Sequence, residues 1–243
     1  MSYAPEQSYP GYAPHAVALA EEWERTTFIR RTYTHLLGAI GLFALIETIV
    51  FSLVSDAQMI DVLTRLGSSR WNWLIVLGAF MAVSWIAERW ARSSTSLSVQ
   101  YFGLGLYVVA EAVIFIPLLF IGSKYEHAIP TAGLMTGIIF TGLTAVVFFT
   151  RADFSWMGRY LMLAGFAAIG FIVCGAIFGW SLGLWFSGAM VVFAGGYILY
   201  DTSNILHHYR TDQYVAASLG LFASVALLFW YVLRIVISLS SRD

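Results

Sequence analysis

Long apolar stretches alternate with short polar segments along the chain. Each apolar stretch holds roughly twenty residues, enough for one helix to cross a bilayer, and none shows the two-residue alternation of a half-buried strand. We therefore predict an all-α integral membrane protein with about seven transmembrane helices, although six spans plus a re-entrant hairpin would also fit. The apolar stretches fall near residues 33–54, 72–88, 99–121, 131–149, 160–179, 184–203 and 214–239.

The segment before the first stretch has a different composition. MSYAPEQSYPGYAPHA is rich in Tyr, Pro, Ala and Gly and cannot bury enough apolar surface to order itself. We expect a disordered tail over residues 1–20 and a transmembrane domain over residues 21–243. The acidic start and basic end of VALAEEWERTTFIRR, residues 17–31, favour a short amphipathic helix leading into the first span.

Composition excludes several functional classes. Hydrophobic residues make up 59% of the chain and charged residues 11%, whereas soluble domains carry about 25% charge. The net charge of −1, without clustered Lys or Arg, gives no basis for binding nucleic acid. No Gly-x-Ser-x-Gly elbow, His-Glu-x-x-His helix or phosphate loop occurs in the sequence. We therefore expect no enzymatic activity, no catalytic residues and no resident cofactor.

The basic residues predict an orientation, because Lys and Arg beside spans tend to remain cytoplasmic. The segments on the other side of the predicted spans hold only Arg65, Arg70 and Lys124, with Arg242 at the terminus. The N-terminus is therefore predicted to be cytoplasmic and the C-terminus outside. The basic residues on the predicted cytoplasmic side are Arg25, Arg30, Arg31, Arg89, Arg92, Arg151, Arg159 and Arg210.

Three carboxylic acids fall inside the predicted spans: Glu47, Glu111 and Asp201. Ionisable groups in a bilayer are costly, so they usually face the bundle interior and mark functional positions. Glu111 lies at mid-span, near Pro117, which should kink its helix. Glu47 lies nearer the outer surface, where snorkelling or an interhelical hydrogen bond would also explain it.

Asp201 lies on a polar stripe. Tyr197, Asp201, Asn204 and His208 are spaced along one helical face. Asp201 could simply end its helix at the headgroup level, or it could bind a proton or cation. Arg89, at the predicted cytoplasmic end of the second span, is a candidate salt-bridge partner whose separation from Asp201 would respond to pH. His207 and His208 lack metal-binding spacing, which favours a solvated surface.

Three stretches together resemble the transmembrane Bax inhibitor motif family, which includes the Bax inhibitor-1 proteins and bacterial relatives. FIRRTYTHLLGAIGLF is similar to the opening of that family's first span. FTGLTAVVFFTRADFSWMGRYLML resembles its fourth span and the following loop. AGGYILYDTSNIL with AASLGLFASVALLFWYVLRIV resembles its last two spans, including the Tyr-Asp-Thr motif.

The resemblance implies a last helix that is central and surrounded by the other six. It also implies a pair of buried aspartates on the last two helices that responds to pH. Asp201 matches the first aspartate, but Ser224 stands where many members have the second, and Leu227 where many have Asn. The two-carboxylate switch of the family therefore cannot be transferred intact. Glu111 resembles an acid in the third span of some members.

The function implied by the resemblance is a pH-influenced cation (calcium) leak channel in a bacterial cytoplasmic membrane. Calcium prefers six to eight oxygen ligands, and the acids with Asn204, Ser224 and Tyr197 would offer only a loose, weakly binding set. The alternative is a non-conducting regulator that binds a membrane protease or another stress-response partner, with the tail as its contact.

Overall fold

The computed structural model describes residues 16–93 and 96–241. Within these ranges the chain forms eight α-helices joined by short connections. Two single 3-10 turns occur at Val17–Leu19 and Ser155–Met157. The helices are α1 (Glu22–Leu53), α2 (Asp56–Gly67), α3 (Arg70–Ala91), α4 (Leu97–Gly122), α5 (Ala128–Thr150), α6 (Gly158–Phe178), α7 (Gly183–His207) and α8 (Tyr214–Ser240).

Seven of the described helices are long and apolar enough to cross a membrane. All but α2 belong to this set, and each coincides with one apolar stretch of the sequence. The prediction of seven spans in an all-α protein is therefore confirmed. Helix α4 continues as α-helix through Pro117.

Helix α2 was not expected from the sequence, which suggested only a polar connection between the first two spans. Ser55 and Gln58 form a reciprocal capping box at its N-terminus, an arrangement that satisfies backbone donors and is recognisable in sequence. The ammonium group of Lys124, in the α4–α5 connection, lies 2.6 Å from the carboxylate of Asp56. This ion pair joins α2 to the neighbouring connection on the same side of the bundle.

The predicted lead-in helix and the first span form one helix. At 32 residues, α1 is about 48 Å long, whereas the hydrocarbon core is about 30 Å thick. Ala16 and Val17 are fully buried, and the Val17 amide donates to the Tyr209 carbonyl oxygen at 2.8 Å. The packed domain thus begins before the boundary expected at residue 20, while residues 1–15 of the expected tail lie outside the described ranges.

Helix α8 occupies the centre of the bundle. It packs against α1, α3, α4, α5 and α7, and many of its side chains are buried, including Leu221, Leu228 and Leu233. Helix α6 packs mainly on α7 and α3 and joins the α8 core through a small cluster of Ala168, Met190 and Tyr231. The expectation of a central last helix is confirmed.

The helices alternate in direction, which gives the bundle two faces. We call the face with the first residues of α1, α4, α6 and α8 the N-terminal face, and the opposite one the C-terminal face. At the N-terminal face the His35 Nε2 atom of α1 lies 2.8 Å from the Tyr101 hydroxyl of α4. The His35 ring centroid lies 5.2 Å from that of Tyr214 at the start of α8.

Glycines within the helices differ in how closely a neighbouring helix approaches them. A Cβ atom at Gly103 would lie 2.5 Å from the Ala87 oxygen, so α3 and α4 touch there through backbone. Gly195 and Gly196 face Leu143 and Leu161 at 3.2 and 3.0 Å, respectively. Equivalent atoms at Gly105, Gly133 and Gly137 would meet open space, so those three do not mediate close packing within the described bundle.

Candidate functional site

Asp201 is buried between α7 and α8. The Ser224 hydroxyl of α8 donates a hydrogen bond of 2.6 Å to the Asp201 Oδ2 atom, and the residues are 4% and 9% exposed, respectively. Helix α7 continues past Asp201 to His207, so Asp201 does not end its helix. The pair therefore lies inside the bundle, and Ser224 occupies the position where the family resemblance placed a second aspartate.

The predicted pairing of Arg89 with Asp201 is wrong. Arg89 is exposed, and its guanidinium carbon lies 5.8 Å from the centroid of the Trp85 ring. Among the described residues, no ion pair joins Arg89 to Asp201. The charged groups that act electrostatically on Asp201 are those of Arg92 and Glu88.

A large cleft lies beside this pair. It has a volume of about 920 Å³ and is bounded by α3, α4, α6, α7 and α8. Ser224, Tyr197 and the carboxylic acids Glu88 and Glu111 line it, among mostly apolar neighbours. Glu88 also borders a second cavity of about 590 Å³ at the N-terminal face, with Arg89 and Arg92. The two cavities thus meet at one acidic side chain.

Glu111 is buried on α4 with 6% exposure. The hydroxyl of Tyr107, one helical turn earlier, interacts with its carboxyl group. The Tyr107 ring also meets the Phe222 ring of α8, with centroids 6.2 Å apart. Glu111 is therefore an interior acid that faces the cleft.

Glu47 lies in a different environment. It is 6% exposed, and neither of its carboxyl oxygens has a hydrogen-bond partner in the structure. Phe43, one turn earlier, packs its ring against Phe115 of α4 at 5.1 Å. Neither snorkelling nor an interhelical hydrogen bond accounts for Glu47, and it does not line the cleft.

The predicted polar stripe of α7 separates into three environments. Tyr197 lines the cleft and packs on Phe193, with ring centroids 5.0 Å apart. The backbone oxygen of Asn204 accepts hydrogen bonds from the amides of His208 and Tyr209 at the helix end. Of the stripe, only Asp201 contacts Ser224.

His208 belongs to a cluster that the sequence interpretation missed. Its Nε2 atom lies 3.1 Å from Asp153 Oδ2 in the α5–α6 connection, and Asp153 Oδ1 accepts a 2.9 Å bond from the Ser155 amide. Burial by itself would raise the pKa of Asp153, but the donors of Ser155 and His208 lower it to about 2. Ser203 donates to Asp153 at 3.3 Å. The Arg-Ala-Asp-Phe-Ser segment therefore ties the α5–α6 connection to α7.

The described residues contain no group of three or more His, Cys, Asp or Glu side chains arranged to hold a metal ion. The acids of the cleft are spread over α3 and α4, while Asp201 lies on α7.

Comparison with known proteins agrees with this architecture. A family model described as "Inhibitor of apoptosis-promoting Bax1" matches residues 25–242. An uncharacterized protein of Pseudomonas aeruginosa is 28% identical over 90% of this chain and 92% of its own length. The LIFEGUARD 4 protein of Arabidopsis thaliana is 27% identical, over 87% of this chain and 84% of its own.

The Bax inhibitor 1 protein of Schizosaccharomyces pombe is 33% identical, over 43% of this chain and 40% of its own length. The family match begins just after the start of α1 and ends just beyond α8, so it includes all seven candidate spans and the Asp201–Ser224 pair. The chain is therefore an integral membrane protein that belongs to the Bax inhibitor family.

Proposed function

We propose that this protein is a cation leak channel whose calcium flux depends on pH. The observation that carries the proposal is the hydrogen bond between Ser224 and the buried carboxyl group of Asp201, beside a cleft bounded by Glu88 and Glu111. Carboxyl groups in such surroundings attract cations when ionised and lose that attraction when protonated.

The pair also joins the two helices that would have to separate. A hydrogen bond to an ionised carboxylate is roughly twice as strong as one between neutral groups. Protonation of Asp201 would therefore weaken the α7–α8 contact at Ser224 and change how these helices pack. A loose set of oxygens from Glu88, Glu111 and Tyr197 would then contact a passing cation weakly, which favours a slow leak.

The proposal includes a location and an orientation. We place the protein in a bacterial cytoplasmic membrane, with the N-terminal face and its arginines in the cytoplasm, following the distribution of basic residues. Glu88 then lines both the cleft and the cavity at the cytoplasmic face, which also contains Arg89 and Arg92. In this proposal the protein has neither an enzymatic activity nor a resident cofactor.

The second candidate function is a non-conducting regulator that binds a membrane protease or another stress-response partner. The names of two kinds of relative favour it: Bax inhibitor 1 of Schizosaccharomyces pombe and the Golgi anti-apoptotic protein of Vaccinia virus. In that case the cleft acids would have no role in ion flux.

Calcium influx into liposomes separates the two functions. Protein is reconstituted into vesicles loaded with a calcium-sensitive dye, and influx is recorded over a pH series for the parent and for Asp201→Asn. Asp61→Asn is the matched control, because Asp61 is an exposed helical aspartate paired with Arg65. A leak channel predicts pH-dependent influx in the parent and the control, and a weaker dependence on pH in Asp201→Asn. Background influx in all three proteins would refute the channel and leave the regulator.

A further inference from the structure

The cleft continues well beyond the acidic residues, toward the C-terminal face. Its lining on α8 extends from Ser224 through Arg234 to Ser238. Arg234 lies ten positions after Ser224, which corresponds to about 15 Å of helix, half of a hydrocarbon core of about 30 Å. This part of the cleft therefore has the depth of one lipid leaflet.

Helix α6 forms one wall of this part of the cleft. Six residues of α6 line it, and their spacing places them on one side of the helix: Gly165, Ala168, Ile169, Ile172, Gly175 and Ala176. Because α6 packs mainly on α7 and α3, the cleft lies between this side of α6 and α8. Its lining is largely apolar, which suits a hydrocarbon chain.

Arg234 provides a charge at the far end of this space. It lies inside the α8 span, and its guanidinium carbon is 5.8 Å from the ring centroid of Tyr231, a buried residue. Among the residues that the structure describes, no carboxylate forms an ion pair with Arg234. A guanidinium group presents a planar set of donors that matches phosphate geometry, and an anion there would offset its charge.

Aromatic residues mark the same end of the cleft as an interfacial site. Trp180, in the α6–α7 connection, lines the cleft and is 61% exposed. Tryptophan is enriched at the headgroup level of membranes because its ring is apolar and its N–H group is polar. The cleft thus has a headgroup-level end with a cation and an apolar end within the leaflet.

We propose that this half of the cleft binds one phospholipid molecule from the leaflet at the C-terminal face. Its phosphate lies at Arg234, and one acyl chain lies along the side of α6 that lines the cleft, toward Ser224. The lipid site is argued from Arg234 and α6 rather than from Asp201, so it can be tested without measuring ion flux.

Native mass spectrometry of the purified full chain tests this site, with dioleoyl phosphatidylglycerol as the probe. Arg234→Gln removes the charge, and Ala176→Phe fills the space from a different helix. The matched controls are Arg159→Gln, whose guanidinium also lies over a tyrosine ring but at the N-terminal face, and Ala167→Phe, at an exposed position of α6 outside the cleft.

The parent and both controls should retain one phosphatidylglycerol molecule at lipid concentrations where the two cleft variants retain at least tenfold less. Equal retention by all five proteins would overturn the proposal. If oleate is retained in preference to phosphatidylglycerol, with the same dependence on Arg234, the occupant is a fatty acid and the assignment to a phospholipid is wrong.

Discussion

Replacing Ser224 with alanine removes the one hydrogen bond that the described residues donate to the side chain of Asp201. The effect depends on the charge of the carboxyl group. A hydrogen bond to a charged group contributes about 1.5–3 kcal/mol, whereas one between neutral groups of membrane helices averages about 0.6 kcal/mol. The stability loss in Ser224→Ala should therefore be larger with ionised Asp201 and smaller with the protonated acid.

These free energies correspond to measurable shifts of the midpoint temperature Tm. One kcal/mol changes the Tm of a protein of this size by about 2–4 °C. A loss of about 2 kcal/mol therefore lowers Tm by about 4–8 °C, and a loss of about 0.6 kcal/mol lowers it by about 1–2 °C. The nine tryptophans of the chain allow thermal unfolding in detergent micelles to be followed by fluorescence.

The control is Ser52→Ala, because the hydroxyl of exposed Ser52 bonds only to the Ile49 carbonyl oxygen of its own helix, at 2.8 Å. Over a pH series, we expect the Ser224→Ala loss to approach the larger value at alkaline pH and the smaller value at acidic pH. The Ser52→Ala loss should stay small throughout. Equal small losses in both variants at every pH would refute the idea that Ser224 stabilises a buried charge on Asp201.

Three further predictions follow from other contacts. Gly103→Ala should lower Tm by several degrees, because the added Cβ would clash with the α3 backbone at 2.5 Å. The control Gly105→Ala should leave Tm unchanged, because a Cβ at Gly105 faces open space. Equal Tm values for the two variants would contradict the close approach of α3 and α4. The pKa of Asp153 is lowered to about 2 in the folded protein, compared with about 3.9 in the unfolded chain. The ionised carboxylate therefore stabilises the fold fully at pH values above about 3.9, and this stabilisation is lost as the pH falls toward about 2. The Tm difference between the parent and Asp153→Asn should therefore disappear over that interval, and a constant difference would argue against it. In the liposome assay, Arg92→Ala should change the pH dependence of calcium influx more than Arg89→Ala does. A larger change in Arg89→Ala would instead support the Arg89–Asp201 pairing predicted from the sequence.

The spans could be predicted because a bilayer imposes a length on every helix that crosses it. This constraint is independent of how the helices pack, so seven apolar stretches gave seven spans, with bounds close to those of the structure except at the start of α1. Helix α2 was missed because it is too short and too polar to cross a bilayer, so span length gives no signal for it. Its signal was local, since Ser55 and Gln58 are three residues apart and form a capping box.

The thickness of the bilayer does not determine how a helix is rotated about its own axis. This is why the partner of Asp201 was wrongly assigned. Depth along α3 placed Glu88 and Arg89 near Asp201, but depth does not determine which side chain faces inward. Ala87 packs closely on Gly103 of α4, and this contact sets the rotation of α3. Glu88 and Arg92 lie one turn apart and act on Asp201, whereas Arg89 is rotated away by about 100° and is exposed.

The three interior acids are all buried, but burial alone does not give them a common role. Asp201 and Glu111 are 9% and 6% exposed and lie at or beside one cleft, so a change of charge at either alters the surroundings of a shared space. Glu47 is equally buried but has no hydrogen-bond partner and no place in that cleft. An unpaired buried carboxylate is strongly unfavourable, and no hydrogen bond in the described bundle stabilises a charge on Glu47. The proposed calcium flux therefore requires only Asp201 and Glu111 to change charge, and the proposal would lose its basis if influx depended on Glu47 instead.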